Sequence, residues 1–315
     1  MILVAGSANL DFVVRAPHIP APGETVLGRD FRTFPGGKGA NQAVACARAG
    51  GAVTHLLLAL GDDAFATPIE TSLQAAGVQM HLVRVKEEVT GTAFICVSDD
   101  AENAITVAPG ANFALHGVHL PPLDGFSHLL LQLEIPLLTV TAYAQAARAQ
   151  GIRVVLNAAP AQTLPAQLLG LIDLLIVNEG ELASVANHQG SMAECLAQIK
   201  VPCVVVTLGS RGCWARVGNS LIHQRAFQVS PIDSTGAGDT FCGALVAALS
   251  QAQQRHQALQ QSLPTALRLA SAAAALACTR LGAQSSIPTQ AEVTEFLATQ
   301  TDSTDDPSHG PNPHA

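Results

Sequence analysis

The chain has 315 residues, 48% hydrophobic and 13% charged with a single Trp and a single Tyr, which suits one large α/β domain, or a domain with a subdomain, whose interior is built from Ala, Val and Leu. A net charge of −8 argues against a nucleic-acid partner, and seven scattered cysteines without a C-x-x-C pair argue against disulfides and a zinc site and for reduced thiols in a cytosol. No basic leader precedes Met1–Gly6, and the longest apolar run, Leu269–Cys278, falls short of the roughly 18–20 residues that a bilayer needs, so a cytoplasmic protein without membrane spans is expected.

Met1–Ala5 reads as a buried first strand, and Gly6-Ser7-Ala8-Asn9-Leu10-Asp11 leaves its C-terminal end, where open α/β sheets bind ligands. Asn9 and Asp11 share one side of an extended segment. A G-x-G-x-x-G pattern is missing, which removes the dehydrogenase reading. Residues 11–34 and 90–107 are Val/Ile/Thr/Phe runs joined by turns at Pro22-Gly23 and Asp99-Asp100, expected to form hairpins that lie together as a small second sheet, a lid over one end of the main one. Phe34–Ala43 leads several glycines into an Ala-rich helix. It is not a Walker A loop, because Arg32 stands at the first glycine position and Gly39 follows Lys38. Lys38 and Asn41 offer donors suited to sugar hydroxyls; a plain capped helix is the other reading.

Val53–Ala59, Leu129–Leu133, Ile152–Leu156, Leu174–Val177 and Cys203–Leu208 are short apolar runs separated by helical stretches such as Leu137–Gln150, the pattern of parallel strands with crossover helices. His116 and His119, followed at once by Pro121 and Pro122, read as a surface loop rather than a metal pair. Glu134 ends one apolar strand as a ligand-facing carboxylate or as a helix cap. Asn178-Glu179-Gly180-Glu181 ends another, where the acids could hold Mg²⁺ through waters or complement a helix dipole. Thr207-Leu208-Gly209-Ser210-Arg211-Gly212 is a glycine-bearing turn open to two readings, a nucleotide contact or a hairpin into Cys213–Val217.

The densest chemistry lies at Asp233–Phe241, after a strand-like Ala226–Val229 and at the start of an Ala/Leu helix. Glycines at a helix start leave amides free to face an anion, here those of Ala237 to Asp239 after Gly236, and Asp239 stands beside that anion as a proton acceptor. Phosphoryl transfer needs little more. A turn whose acid merely complements the dipole fits the segment alone equally well. Helices are expected over Gly238–Ser250, Leu263–Arg280 and Thr289–Thr299, and residues 301–315 should be a disordered polar tail.

Taken in order, G-S-x-N-x-D at Gly6–Asp11, P-G-E-T-V at Pro22–Val26, G-G-K-G-A-N-Q-A at Gly36–Ala43, T-L-G-S-R-G at Thr207–Gly212 and G-A-G-D at Gly236–Asp239 resemble the ribokinase branch of the phosphofructokinase-B sugar kinase family. The resemblance implies a three-layer α/β fold over residues 1–300, with a mostly parallel sheet flanked by helices and a small β-sheet lid. It also implies ATP-dependent phosphorylation of a small sugar, ribose first among the candidates. The hairpins themselves suggest a homodimer paired through the lids, since exposed sheet edges seek partners. Another small sugar or a nucleoside is the alternative within the family, and a non-catalytic sugar-binding regulator the alternative outside it.

Carried over by residue, the resemblance implies sugar contacts from Asn9, Asp11, Gly37, Lys38, Gly39, Asn41, Glu134 and Asp239, and catalysis by Asp239 with Gly236, Ala237 and Gly238. ATP contacts would come from Asn178, Thr207, Gly209, Ser210, Gly212, Gly238 and Ser271. Glu181 would help hold Mg²⁺, and Asp233, Thr235, Ala277, Arg280, Gly282 and Ser286 a K⁺-like ion. Ser234 stands where this family usually has Thr, and Ser271 where bacterial relatives often carry His near the adenine.

Overall fold

The computed structural model describes residues 1–100 and 102–300, so the expected tail at 301–315 lies outside the described residues. The main sheet is built from strands whose two faces are both covered. Along β1 (Ile2–Ala5), Ile2 and Val4 enter one apolar core while Leu3 and Ala5 enter another. The same alternation runs through β4 (Thr54–Gly61), β8 (His128–Leu131), β9 (Arg153–Asn157), β10 (Leu174–Asn178) and β11 (Cys203–Thr207), which is why these segments read as unbroken apolar runs rather than as alternating ones.

The nine-stranded sheet has the order β13-β12-β11-β10-β9-β8-β1-β4-β5, with β5 at Gln79–Val85, β12 at Cys213–Val217 and β13 at Ser220–Gln224. All pairings are parallel except those of β12 and β13, an antiparallel hairpin closing one edge. One face packs against α1 (Lys38–Arg48), α2 (Ala66–Ala75), α7 (Ala237–Gln254), α8 (Leu259–Ala277) and α9 (Gln290–Thr299). The other packs against α3 (Leu137–Ala149), α4 (Ala166–Leu169), α5 (Glu179–Ala186) and α6 (Met192–Gln198). The result is the expected three-layer α/β architecture.

Residues 9–16 (β2), 29–36 (β3), 91–98 (β6) and 103–108 (β7) form a separate four-stranded sheet in the order β3-β2-β6-β7. The two hairpins join through a parallel β2–β6 pairing that starts at Asn9 opposite Gly91. β2 follows directly from the end of β1, so the small sheet springs from the same strand end that holds Asn9 and Asp11.

Two expectations are corrected. Ala226–Val229 is not a strand: the chain leaves the sheet after Gln224, and these residues line a cleft instead. Their apolar character serves that cleft, which imitates a core strand in sequence. The helix expected from Leu263 begins at Leu259 and carries Pro264 inside it. Proline one turn into a helix removes a single N–H, leaving one carbonyl in the first turn without its usual partner.

Candidate active site

Two helices hold the centre of the site, and small residues let them touch. A Cβ on Gly243 would lie 2.5 Å from both Ala45 Cβ and the Gln42 carbonyl oxygen, and one on Gly50 would lie 2.1 Å from Ala247 Cβ. At this crossing the Cys46 thiol donates to the Gly243 carbonyl at 3.3 Å. Packing this close brings the first turn of α1 against the first turn of α7. Asn41 Nδ2 donates to Asp239 Oδ2, and Gln42 Nε2 to Asp239 Oδ1, each at 2.9 Å. Gln42 Nε2 also reaches Asn157 Oδ1 at 2.9 Å, while Gln42 Oε1 accepts from Gln132 Nε2 at 2.7 Å. Asn41 Oδ1 is buried without a partner, an acceptor available to a ligand hydroxyl.

The glycines at the start of α1, Gly37 before it and Gly39 in its first turn, are also required by packing. Gly37 has φ +88°, and a Cβ on it would lie 2.7 Å from Ala8 Cα and Asn9 N. A Cβ on Gly39 would meet Gly6 C and Ser7 N at 2.6 Å. Both glycines therefore let α1 start directly against the turn that leaves β1. Glu134 realises its capping reading there: its Oε2 accepts from the Lys38 N–H at 3.1 Å and from Ser7 Oγ at 2.6 Å. Gly39 N–H donates to Ser7 Oγ at 3.3 Å.

On the small sheet, Asn9 is buried and its Oδ1 accepts from Asn112 Nδ2 at 2.8 Å, while the Asn112 Oδ1 accepts from the Ala8 N–H. The Asp11 carboxylate lies so close to Gly36 that a Cβ there would stand 2.1 Å from Oδ2. Burial, helped by Glu134 and Asp239 and opposed by Lys38, pushes Asp11 up to about 7. Lys38 is raised as well, for a different reason: burial opposes its charge, but the carboxylates of Asp239, Glu134 and Glu181 outweigh it and hold the ammonium above its ordinary value.

Gly236, left-handed at φ +73°, starts α7. Ala237 N–H turns back to the Ser234 carbonyl at 3.2 Å, so the amides of Gly238 and Asp239, which have no partner inside the helix, are the first-turn donors left for an anion. A polar cavity of about 180 Å³ lies here, lined by Lys38, Asn178, Glu181, Thr207, Gly238 and Asp239 among others. Asn178, Thr207 and Gly238 also line a larger cleft of about 770 Å³ that runs past Gly209, Ser210 and Gly212 to Ser271. Asn178 and Glu181 form a reciprocal cap on α5, side chain to amide in both directions at 2.8 Å. Burial raises the Glu181 carboxyl despite that bond.

Asp233 bridges two backbones, accepting from Thr235 N–H and Gly282 N–H at 2.9 Å each. Those bonds overcome burial and hold it below its ordinary value. The neighbouring loop packs on the Gly236 turn, because a Cβ on Gly236 would lie 3.0 Å from Ala283 Cα. Ser286 Oγ donates to the Ala283 carbonyl at 2.8 Å, Ala277 is the last residue of α8, and the Arg280 guanidinium points away to Glu292 at 2.6 Å. Among the described residues no group of three or more His, Cys, Asp or Glu could hold a metal ion, and no helix is long and apolar enough to cross a membrane.

Sequence reasoning missed Gln42, Asn112, Gln132 and Asn157. Gln42 lies within the Gly36–Ala43 motif but shows no chemistry of its own there, and the others sit at strand ends or in a 3₁₀ turn without a local pattern.

A model of the pfkB family of carbohydrate kinases matches residues 1–290. The ribokinase of Haemophilus influenzae is 40% identical over 94% of this chain and 98% of its own, and that of Bacillus subtilis 36% identical over 94% and 99%. The structure of Arabidopsis thaliana ribokinase complexed with ribose and ATP superposes with a TM-score of 0.83 at 31% identity, covering 95% of this chain and 99% of that one.

Proposed function

The chain belongs to the pfkB family of carbohydrate kinases, and we propose that within it this protein transfers the γ-phosphoryl group of ATP to the 5-hydroxyl of D-ribose with Asp239 as base. The observation that carries the reading is the position of Asp239, its two oxygens clamped by Asn41 and Gln42, at the wall where free first-turn amides meet both cavities. Ribose lies under the small sheet against Asn9, Asp11, Gly37, Lys38, Gly39, Asn41 and Glu134, with the unpartnered Asn41 Oδ1 accepting from one hydroxyl. ATP occupies the larger cleft against Asn178, Thr207, Gly209, Ser210, Gly212, Gly238 and Ser271, its γ-phosphate reaching the polar cavity. The sugar hydroxyl gives its proton to Asp239 as its oxygen bonds to the γ-phosphorus. The bond to the bridging oxygen breaks and ADP leaves, while the Gly238 and Asp239 amides and Lys38 balance the charge on the moving group.

Glu181 suits Mg²⁺ held mainly by ATP phosphates, since it is the one carboxylate besides the base that lines the cavity and, among the described residues, no group of three or more ligating side chains competes. Bound there, Mg²⁺ screens the triphosphate charge. Asp233, kept ionised beside Thr235, Ala277, Arg280, Gly282 and Ser286, suits a K⁺-like ion behind the anion turn. The test is a coupled ADP-release assay over ribose, deoxyribose, fructose and adenosine. Ribose is expected to give the highest kcat/KM, and faster turnover of any other acceptor overturns the substrate assignment.

The same protein is proposed to pair through its small sheets. Phe31, Phe94, Ile105 and Val107 are exposed there, and β7 is exposed along its whole length. Light scattering at micromolar concentration should give twice the monomer mass, and a monomer at that concentration contradicts the pairing.

A further inference from the structure

The geometry points to Gln42 as a positioning residue for Asp239, its amide locked by Gln132 and Asn157 so that only an N–H can face the base. The inference rests on the assignment of Asp239 as base. Gln42 and Gln132 are both 0% exposed, so neither touches the cleft directly. Gln42 has one acceptor and two N–H donors, and every one is committed. Oε1 accepts from Gln132 Nε2 at 2.7 Å, and Nε2 donates at 2.9 Å to Asn157 Oδ1 and at 2.9 Å to Asp239 Oδ1. Asn157 is itself fixed, since its Nδ2 donates to the Ile176 carbonyl at 3.2 Å and leaves Oδ1 to accept.

Turning the Gln42 amide over would place its oxygen against a carboxylate oxygen and against Asn157 Oδ1, and its NH₂ against the NH₂ of Gln132. All three contacts become repulsive at once. The other clamp lacks such a lock: Asn41 Oδ1 has no partner, so Asn41 is oriented by its bond to Asp239 alone, whereas Gln42 is also held from behind. Gln132 is seated by packing and not by a further hydrogen bond: its Oε1 has no partner and lies where a Cβ on Gly6 would stand, 2.0 Å away. Gln132 and Asn157 both stand at the ends of parallel strands in the sheet, so the orientation of the base is inherited from the most rigid part of the fold.

A donor fixed on Oδ1 holds the carboxylate at one rotation, so that its cavity-facing lone pair meets the acceptor hydroxyl.

The experiment measures kcat and the KM for ribose, at saturating ATP, for the wild type, Gln42→Met, Gln132→Met and Asp239→Asn. Gln42→Met should lower kcat by about 10- to 100-fold and leave the KM for ribose within about threefold, because the base is mispositioned while the sugar contacts stay. Gln132→Met, which touches neither base nor sugar, should lower kcat by less and also leave the KM unchanged. Melting curves report folding, and if Gln42→Met does not fold, Gln132→Met decides. A kcat equal to that of the wild type in the folded variants overturns the positioning role while Asp239→Asn remains inactive. Full activity of Asp239→Asn instead overturns the assignment of the base, a separate outcome.

Discussion

Asp239→Asn is expected to lower kcat by about a thousandfold while leaving the protein folded and able to bind ribose. The carboxamide has the size of the carboxylate, so the close α1–α7 contact is undisturbed. Its own hydrogen bonds can be rebuilt. Gln42 presents a fixed N–H, so the new side chain turns its oxygen to Gln42 and its NH₂ to Asn41. Asn41 can then flip to present Oδ1, because nothing holds that oxygen. The price of the rearrangement falls on the sugar, which loses the Asn41 acceptor, and a KM for ribose raised about threefold to tenfold is expected. What cannot be rebuilt is proton acceptance, since an amide is not a base. Titration calorimetry for ribose, beside the ADP-release assay, separates the two effects. Turnover within tenfold of the wild type would remove Asp239 from the mechanism.

How legible the site was depends on how far apart its parts lie in the chain. Gly236–Asp239 stood out because a glycine turn, a helix start and an acid fall within four residues, although that segment alone fitted a dipole-complementing acid equally well. The capping partners Asn178 and Glu181 were equally close, and the structure gives them both readings at once, cap and cavity wall. The amide relay was invisible for the opposite reason: Gln42, Gln132 and Asn157 are brought to Asp239 by the sheet and by the α1–α7 crossing, and none of the three has a local pattern that points to the others.

The fold follows the same rule. Strands buried on both faces were read correctly from their apolar runs. β5 lies at the sheet edge with Gln79, His81 and Arg84 interrupting its pattern, and no strand was expected there. Phe227 and Val229 misled in the other direction, because a cleft wall and a core strand ask for the same side chains.

Two glycines of the anion turn should respond to the same added methyl with opposite changes in stability. Gly236 sits at φ +73°, where an L side chain is strained, and a Cβ would lie 3.0 Å from Ala283 Cα and 3.2 Å from Ala283 Cβ. Gly236→Ala therefore pushes the α7 start away from the loop that carries Gly282 and Ser286, and should lower both the melting temperature and kcat. Gly238 lies within the first turn of α7, and a Cβ there meets nothing within 4 Å. Gly238→Ala should melt about 1–3 °C higher, because alanine favours the helix and restricts the unfolded chain. Yet Gly238 lines both the polar cavity and the larger cleft, so the methyl stands where the γ-phosphate must approach the amides. The expected loss in kcat is about 100-fold, the usual effect of spoiling one donor of an anion hole. A packing role for Gly238 predicts that stability and activity fall together, whereas a phosphate-binding role predicts a firmer, slower enzyme. A Gly238→Ala protein as active as the wild type would place the transferred phosphate elsewhere.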